Sequence, residues 1–480
     1  MAAGAIPANG PSAAALQPES SALRKELGIR DLLLAQILLV IVPEFFGTAV
    51  KAGPSHVVLW LLAIVLFFIP QAMVVSYLNR WMPLEGGLFE WVRLAFSDQL
   101  GFVVAWNLWL TCTIQVAQVA LVATTYITYA VGPRTAWIAS NRGALVAASV
   151  ALILVMTLVA RHGLGIGKWV SNMGSVFTLL IIGALALIPL AHASNAAVTQ
   201  YHPLRLTMPA LTLFSLSVFA KMTFGALSGF DTVAIFAGES RSPARNFARA
   251  TFLAAPVIAL LYILGTSSIL AYVSPEEVDI IAPIPQALTR GLGGFAWAST
   301  IAPIAILLLL TNYLCSYVTY FSSNARLPMV AGWDHLLPKW FTVLHKEHKT
   351  PVNSILFMAG VSVFASAGAA MGVGNQEAFA MLQIWTWTFY GIAYASMFAV
   401  PLLARKTLGL RPGFWMRVAA VSGLVVTLVF VLLSIFPIIP VESQAGYILK
   451  TIFVTLGANL FAIFLYNLGR RASLPRLAGE

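Results

Sequence analysis

The chain has 480 residues, 59% of them hydrophobic and only 9% charged, with a net charge of +11. A soluble domain covers its surface with about 25% charged residues, so a water-exposed globule is excluded and lipid is the solvent that fits. The positive balance does not indicate nucleic-acid binding, because Lys and Arg sit in short loops between apolar runs, as in membrane proteins with basic cytoplasmic loops.

The first 22 residues are rich in Ala, Pro and Ser, with no basic segment leading into an apolar core. Residues 1–28 therefore read as a disordered cytoplasmic tail, not a cleaved signal peptide. Twelve apolar spans follow, at 31–52, 57–78, 101–131, 143–160, 169–192, 211–237, 252–273, 295–322, 351–371, 378–403, 414–437 and 445–468. Each is near the roughly 20 residues that cross the hydrocarbon core. All are predicted to be helices, because an open strand or loop leaves backbone groups unsatisfied in lipid. Span 3 is longer than one crossing needs, which predicts tilt. Spans 1–10 with their loops occupy 29–410, two further helices occupy 411–470, and 471–480 is a cytoplasmic tail.

With the amino terminus inside, the cytoplasmic segments hold most of the 28 Lys and Arg, among them Arg24, Lys25, Arg241, Arg245, Arg326 and Arg405. The outer loops and helix ends hold six, namely Lys51, Arg134, Arg142, Arg205, Arg290 and Lys450. This bias predicts both termini in the cytoplasm. The connection 323–350 is then inside, and 274–294, with Glu276, Glu277 and Asp279, is outside. The two cysteines, Cys112 and Cys315, lie in apolar runs and suggest neither a disulfide nor a metal site. The histidines show no nucleophile–base or metal-ligand spacing; His335, His345 and His348 share one basic loop. No enzyme, metal or cofactor is expected.

Ionisable groups inside the membrane are costly and mark a pathway or a bound ion. Three fall deep in the spans: Glu44, Lys221 and Asp231. In span 1, Glu44 follows Pro43 in the run Pro43-Glu44-Phe45-Phe46-Gly47-Thr48. Proline removes an N–H and clashes with the preceding turn, and Gly47 is a second weak point. A helix broken here places a carboxylate among freed backbone groups. That carboxylate could hold a cation or proton, or be a structural group satisfied by freed N–H groups. Span 6 reads Lys221-Met222-Thr223-Phe224-Gly225-Ala226-Leu227-Ser228-Gly229-Phe230-Asp231. Its two glycines loosen the helix, although small residues every fourth position equally suit close helix packing. Lys221 could act in coupling or snorkel to the outer interface. Asp231 reads first as a cap for a second half-helix. Gln115, Gln118, Asn312 and Ser316 are explained at least as well by bonds between helices as by contact with a ligand. Trp385 and Trp387 read as packed aromatics that could cover the site.

The loops carry a family resemblance. Gly238-Glu239-Ser240-Arg241-Ser242-Pro243, continuing to Arg249-Ala250, resembles the segment after helix 6 of the amino acid–polyamine–organocation permeases. Ser323-Asn324-Ala325-Arg326-Leu327-Pro328 and Leu337-Pro338-Lys339-Trp340-Phe341 look like that family's loop after helix 8. Pro83-Leu84-Glu85-Gly86-Gly87-Leu88 with Gly101-Phe102 resembles its helix 2–3 loop, and Ser228-Gly229-Phe230-Asp231 matches its helix 6 centre. The resemblance implies two inverted five-helix repeats, spans 1–5 and 6–10, plus two added helices. The substrate then lies between broken helices 1 and 6, at Pro43, Glu44, Phe45, Phe46, Gly47 and Thr48 of one and Phe224, Gly225, Ala226, Leu227, Ser228, Gly229 and Phe230 of the other. Many members break helix 1 at a Gly-Ser/Thr-Gly motif whose bare amides approach a carboxylate. Pro43-Glu44-Phe45-Phe46-Gly47 departs from that motif and favours an amine or cationic ligand. Span 5 lacks the lysine with which some sodium-independent members replace sodium, which leaves Glu44 the preferred carrier of a coupling proton and Lys221 a second candidate. Ile69-Pro70-Gln71-Ala72 is similar to helix 2 of polyamine-transporting branches. The expected function is alternating-access transport of amino acids or related organic amines across the plasma membrane, by proton coupling or exchange. A polyamine or diamine permease is the variant reading. A transport-inactive sensor or accessory subunit of the same fold is the rival from another class.

Overall fold

The computed structural model describes residue 33 and residues 41–82, 87–162, 167–191, 205–231, 243–295, 297–330, 339–341, 343–345, 350–404 and 407–477. The tail 1–28, the loop signatures at 238–242, 83–86 and 331–338, and the part of span 6 after Asp231 lie outside these residues. Among the described residues every regular element is helical. They are α1 (Phe45–Val50), α2 (Gly53–Trp81), α3 (Leu88–Ala95), α4 (Asp98–Val131), α5 (Arg142–His162), α6 (Gly167–Ala191) and α7 (Leu213–Leu227). There follow α8 (Pro243–Leu270), α9 (Pro283–Leu292), α10 (Ala298–Asn324), α11 (Val352–Ala370), α12 (Asn375–Leu403), α13 (Phe414–Leu433) and α14 (Gln444–Leu477). Eight described helices are long and apolar enough to cross a membrane, and Val176–Leu190 and Leu213–Leu227 are shorter apolar ones.

The helix α4 organises the bundle. Its 34 residues extend about 51 Å at 1.5 Å per residue, well beyond the roughly 30 Å hydrocarbon core. Its amino end is capped by Ser97, whose hydroxyl accepts the Leu100 N–H at 3.2 Å, and its carboxyl end turns off at Gly132 with φ +79°. The apolar window of α4 is 83% buried, against 11% for α14. So α4 is the central post, packed by α5, α10, α11 and α12, and α14 stands on the rim.

Several boundaries differ from the apolar runs. α8 starts at Pro243, nine residues before the apolar span begins at 252, carrying Arg249 on its first turns. Hydropathy marks where lipid begins, while a helix continues as far as its backbone bonds do. Span 6 is interrupted: α7, opened by a reciprocal cap between Thr212 and Ser215, stops at Leu227. Ser228 is extended and Gly229 has φ +108°, a backbone that a side chain would strain. In span 1, Ile41 and Val42 are irregular, Pro43 and Glu44 form a turn, and α1 starts only at Phe45. In α2 the turn Ile64–Phe68 is π-helical.

Candidate functional site

The two interruptions meet. Tyr262, from α8, accepts the Val42 N–H at 3.0 Å and donates to the Ala226 carbonyl at 3.3 Å, so one hydroxyl joins both. Its ring stacks on Trp60 at 4.2 Å and touches Phe46 at 5.0 Å. The next freed carbonyl of α7, on Leu227, accepts from Gln71 Nε2 of α2. The Gly229 N–H donates to the Tyr394 hydroxyl of α12 at 2.8 Å, and the Ser228 N–H to the Phe224 carbonyl at 3.1 Å. Buried backbone groups need partners, and here side chains from three other helices supply them.

Glycines allow the approach. A Cβ on Gly225 would run into the Phe45 ring, and one on Gly265 into the Phe46 ring. Phe45 also meets the edge of Trp387 at 5.3 Å. Phe224 faces the other way and stacks on Phe430 of α13 at 4.5 Å. Phe230 packs edge-on against Phe68 at 5.8 Å. Thr48, with the rest of α1, is buried.

Glu44 is fully buried at the start of α1. Its Oε1 accepts from the Tyr313 hydroxyl of α10 and from Gln118 Nε2 of α4 at 3.3 Å. Its Oε2 has no hydrogen-bond partner among the described residues. The amides of Phe45, Phe46 and Gly47 donate to the carbonyls of Val42, Pro43 and Glu44 at 3.1–3.3 Å, and the backbone N–H that the carboxylate draws on is Glu44's own. Behind Tyr313, Tyr317 lies 4.7 Å away ring to ring, and its hydroxyl accepts from Gln115 Nε2 at 2.9 Å. A carboxylate oxygen in this setting is chemically able to accept a further hydrogen bond or to pair with a cation.

The other two charges are placed differently. Asp231 Oδ1 accepts from the hydroxyls of Tyr390 at 2.5 Å and Tyr394 at 2.6 Å. The half-helix it was expected to cap lies outside the described residues. Lys221 is buried, with its Nζ donating to the Leu433 carbonyl at 3.4 Å and to that of Phe436. These are carbonyls at the carboxyl end of α13, where a cation meets the negative end of the helix dipole. The structure therefore brings Phe45 against Gly225 and links Phe46 to Ala226 through Tyr262, turns Glu44 towards α4 and α10 and Gly47 towards Ile280, and ties Lys221 to a neighbouring helix end.

Sequence reasoning missed Tyr262, Gln71, Tyr313 and Tyr394 as members of this site. Two signals were present: Tyr313, Tyr317 and Tyr320 recur at helical spacing in span 8, and Tyr390 and Tyr394 in span 10. Neither stripe carries charge, so neither stood out from ordinary apolar packing.

Two interrupted helices joined through Tyr262, one of them carrying a buried carboxylate, inside a bundle of membrane-length helices, are the architecture of a multi-pass membrane permease. The family profile of the amino acid permeases matches residues 32–458, and the chain belongs to that family. Its relatives include a probable agmatine/putrescine antiporter of Lactococcus lactis, 22% identical over 92% of this chain and 94% of that protein. An uncharacterised transporter of Legionella pneumophila is 25% identical over 70% of this chain and 72% of its own length. A polyamine transporter of rice is 27% identical over 64% of this chain and 55% of its own. These transporter relatives do not favour the sensor reading.

Proposed function

We propose that this permease carries an organic amine across the plasma membrane by alternating access, with the substrate ammonium docking on Glu44 Oε2. The observation that carries this is the unpaired oxygen of a fully buried carboxylate. A buried charge without a partner is unstable, and a substrate cation would supply the partner. The occupied amides around it favour an ammonium over the α-carboxylate that family members with bare helix-1 amides bind. Among amines, the polyamine and diamine reading gains from the names of two relatives, the agmatine/putrescine antiporter and the rice polyamine transporter. Twelve spans, arranged as two inverted five-helix repeats plus α13 and α14 with both termini in the cytoplasm, complete the proposal. Glu44 would also carry the coupling proton, exchanging it for the ammonium in the same place. Lys221 would hold α7 to α13 instead of binding substrate, and no chemical transformation of the substrate is involved.

The test is uptake into proteoliposomes. Putrescine or agmatine should enter, compete with one another, and drive exchange. Neutral amino acids accumulating while putrescine neither enters nor competes would sink the proposal. Glu44→Gln should abolish accumulation driven by a pH gradient; retained accumulation in that variant would remove Glu44 from the coupling role.

A further inference from the structure

The helices α2 and α8 are clasped at one end and parted at the other. Near the start of α2, His56 Nε2 lies 2.8 Å from the Ser267 hydroxyl, and Trp60 Nε1 donates to the Thr266 hydroxyl at 3.2 Å. The stacking of Trp60 on Tyr262 belongs to the same clasp. From Leu61 on one helix and Ile263 on the other, a groove of about 1020 Å³ opens between them. Both of its walls are irregular. Ile64 and Val65, in the π-helical turn of α2, line one side, and Pro256, inside α8, lines the other. A π turn widens a helix, and an internal proline removes a backbone bond and bends one. These two faults, with the small Ala255 and Ala259 on the α8 wall, hold the groove open.

The groove is apolar along its length and cationic at its mouth. Leu61, Val65 and Leu260 are exposed within it. Ser76, Tyr77 and Arg80 line its far end on α2. Arg80 is exposed and has no hydrogen bond or ion pair among the described residues. The proposed topology places this end in the cytoplasm. The α8 wall, from Phe252 to Ile263, extends about 16 Å, close to the roughly 15 Å of hydrocarbon in one leaflet. The α2 wall is longer, about 28 Å from Leu61 to Arg80, so its last turns reach headgroup depth. An apolar channel of leaflet depth suits an acyl chain, and a guanidinium at headgroup depth suits a phosphate.

We propose that this groove is a site for one anionic phospholipid, with an acyl chain along Val65, Ile69 and Ala259 and the phosphate on Arg80. The seated chain packs against the π-helical turn and braces the frame from which Gln71 reaches the Leu227 carbonyl. The inference rests on the membrane fold alone and holds whichever substrate is carried.

Native mass spectrometry reads this on the purified full chain, offered equal amounts of phosphatidylglycerol and phosphatidylcholine with the same acyl chains. The parent should retain one phosphatidylglycerol in preference. Arg80→Gln should lower that affinity about fivefold, the effect of one basic residue beside an anionic headgroup, and leave phosphatidylcholine binding unchanged. Arg161→Gln, at the end of α5 that the same topology places in the cytoplasm, should change neither. Ala259→Phe fills the groove, leaves the arginine in place and should lower the binding of both lipids. If that variant does not fold, the smaller intrusion of Ala255→Leu should act in the same direction. Equal retention of the two lipids by the parent, parent-like binding in Arg80→Gln, an equal loss in Arg161→Gln, or undiminished binding with the groove filled would each overturn the site.

Discussion

The interruptions in spans 1 and 6 look alike in sequence and differ in what they leave unfinished. At the end of α7 three freed backbone groups have side-chain partners, with Tyr262 on Ala226, Gln71 on Leu227 and Tyr394 on Gly229, while the Ser228 hydroxyl has none among the described residues. At the start of α1 the amides of Phe45, Phe46 and Gly47 are paired, and Oε2 of the Glu44 carboxylate has no partner among the described residues. The break in span 6 thus leaves open a neutral hydroxyl, on Ser228, and the break in span 1 a carboxylate oxygen, on Glu44. A transporter needs both: a place where the chain can bend without exposing bare amides, and one group whose satisfaction depends on what is bound.

The comparison is most exposed to failure at Glu44. Glu44→Gln keeps an acceptor for Tyr313 and Gln118 while removing the charge. Amine uptake should fall by about 100-fold, as when a buried ion pair loses one partner, with the thermal midpoint of the purified protein little changed. Equal loss of uptake and of stability would make Glu44 a structural carboxylate. Next in size is Gly225→Val, which drives a side chain into the Phe45 ring. Overpacking costs about 1–3 kcal/mol, read as a lowered midpoint in a detergent melt; an unchanged midpoint would mean the two half-helices are not in close contact. Tyr262→Phe keeps the stacking on Trp60 and removes only the hydroxyl that joins the breaks. It should cost about 1–2 kcal/mol by the same melt, and lose that cost's dependence on Val42 and Ala226 if the joint is elsewhere.

How much of this was legible follows from the kind of signal each residue emits. Glu44, Lys221 and Asp231 stood out because charge is conspicuous in an apolar run, and Pro43 and Gly229 because they are conformationally unusual. The family followed from loop segments whose residues recur in order between spans. Tyr262, Tyr313 and Tyr394 gave no comparable signal, since a tyrosine in a membrane helix is commonplace and its partner lies up to 269 residues away, and Gln71 showed only in its helix 2 likeness. The fate of Lys221 was likewise invisible: whether it snorkels, couples or docks on Leu433 and Phe436 depends on where α13 ends in space. Only packing, not composition, decides such matters.

The wide turn at Ile64–Phe68 in α2 has a consequence for Gln71. A π-helical turn holds one residue more than an α-helical one, and each residue advances around the axis by about 100°. Everything after Phe68 is therefore rotated by that amount from where an uninterrupted helix would put it. Gln71 reaches the Leu227 carbonyl only in that rotated frame. Deleting one residue from the turn would straighten α2 and carry the amide off to another neighbour. The bond that closes the last carbonyl of α7 is thus set by a single surplus residue in span 2.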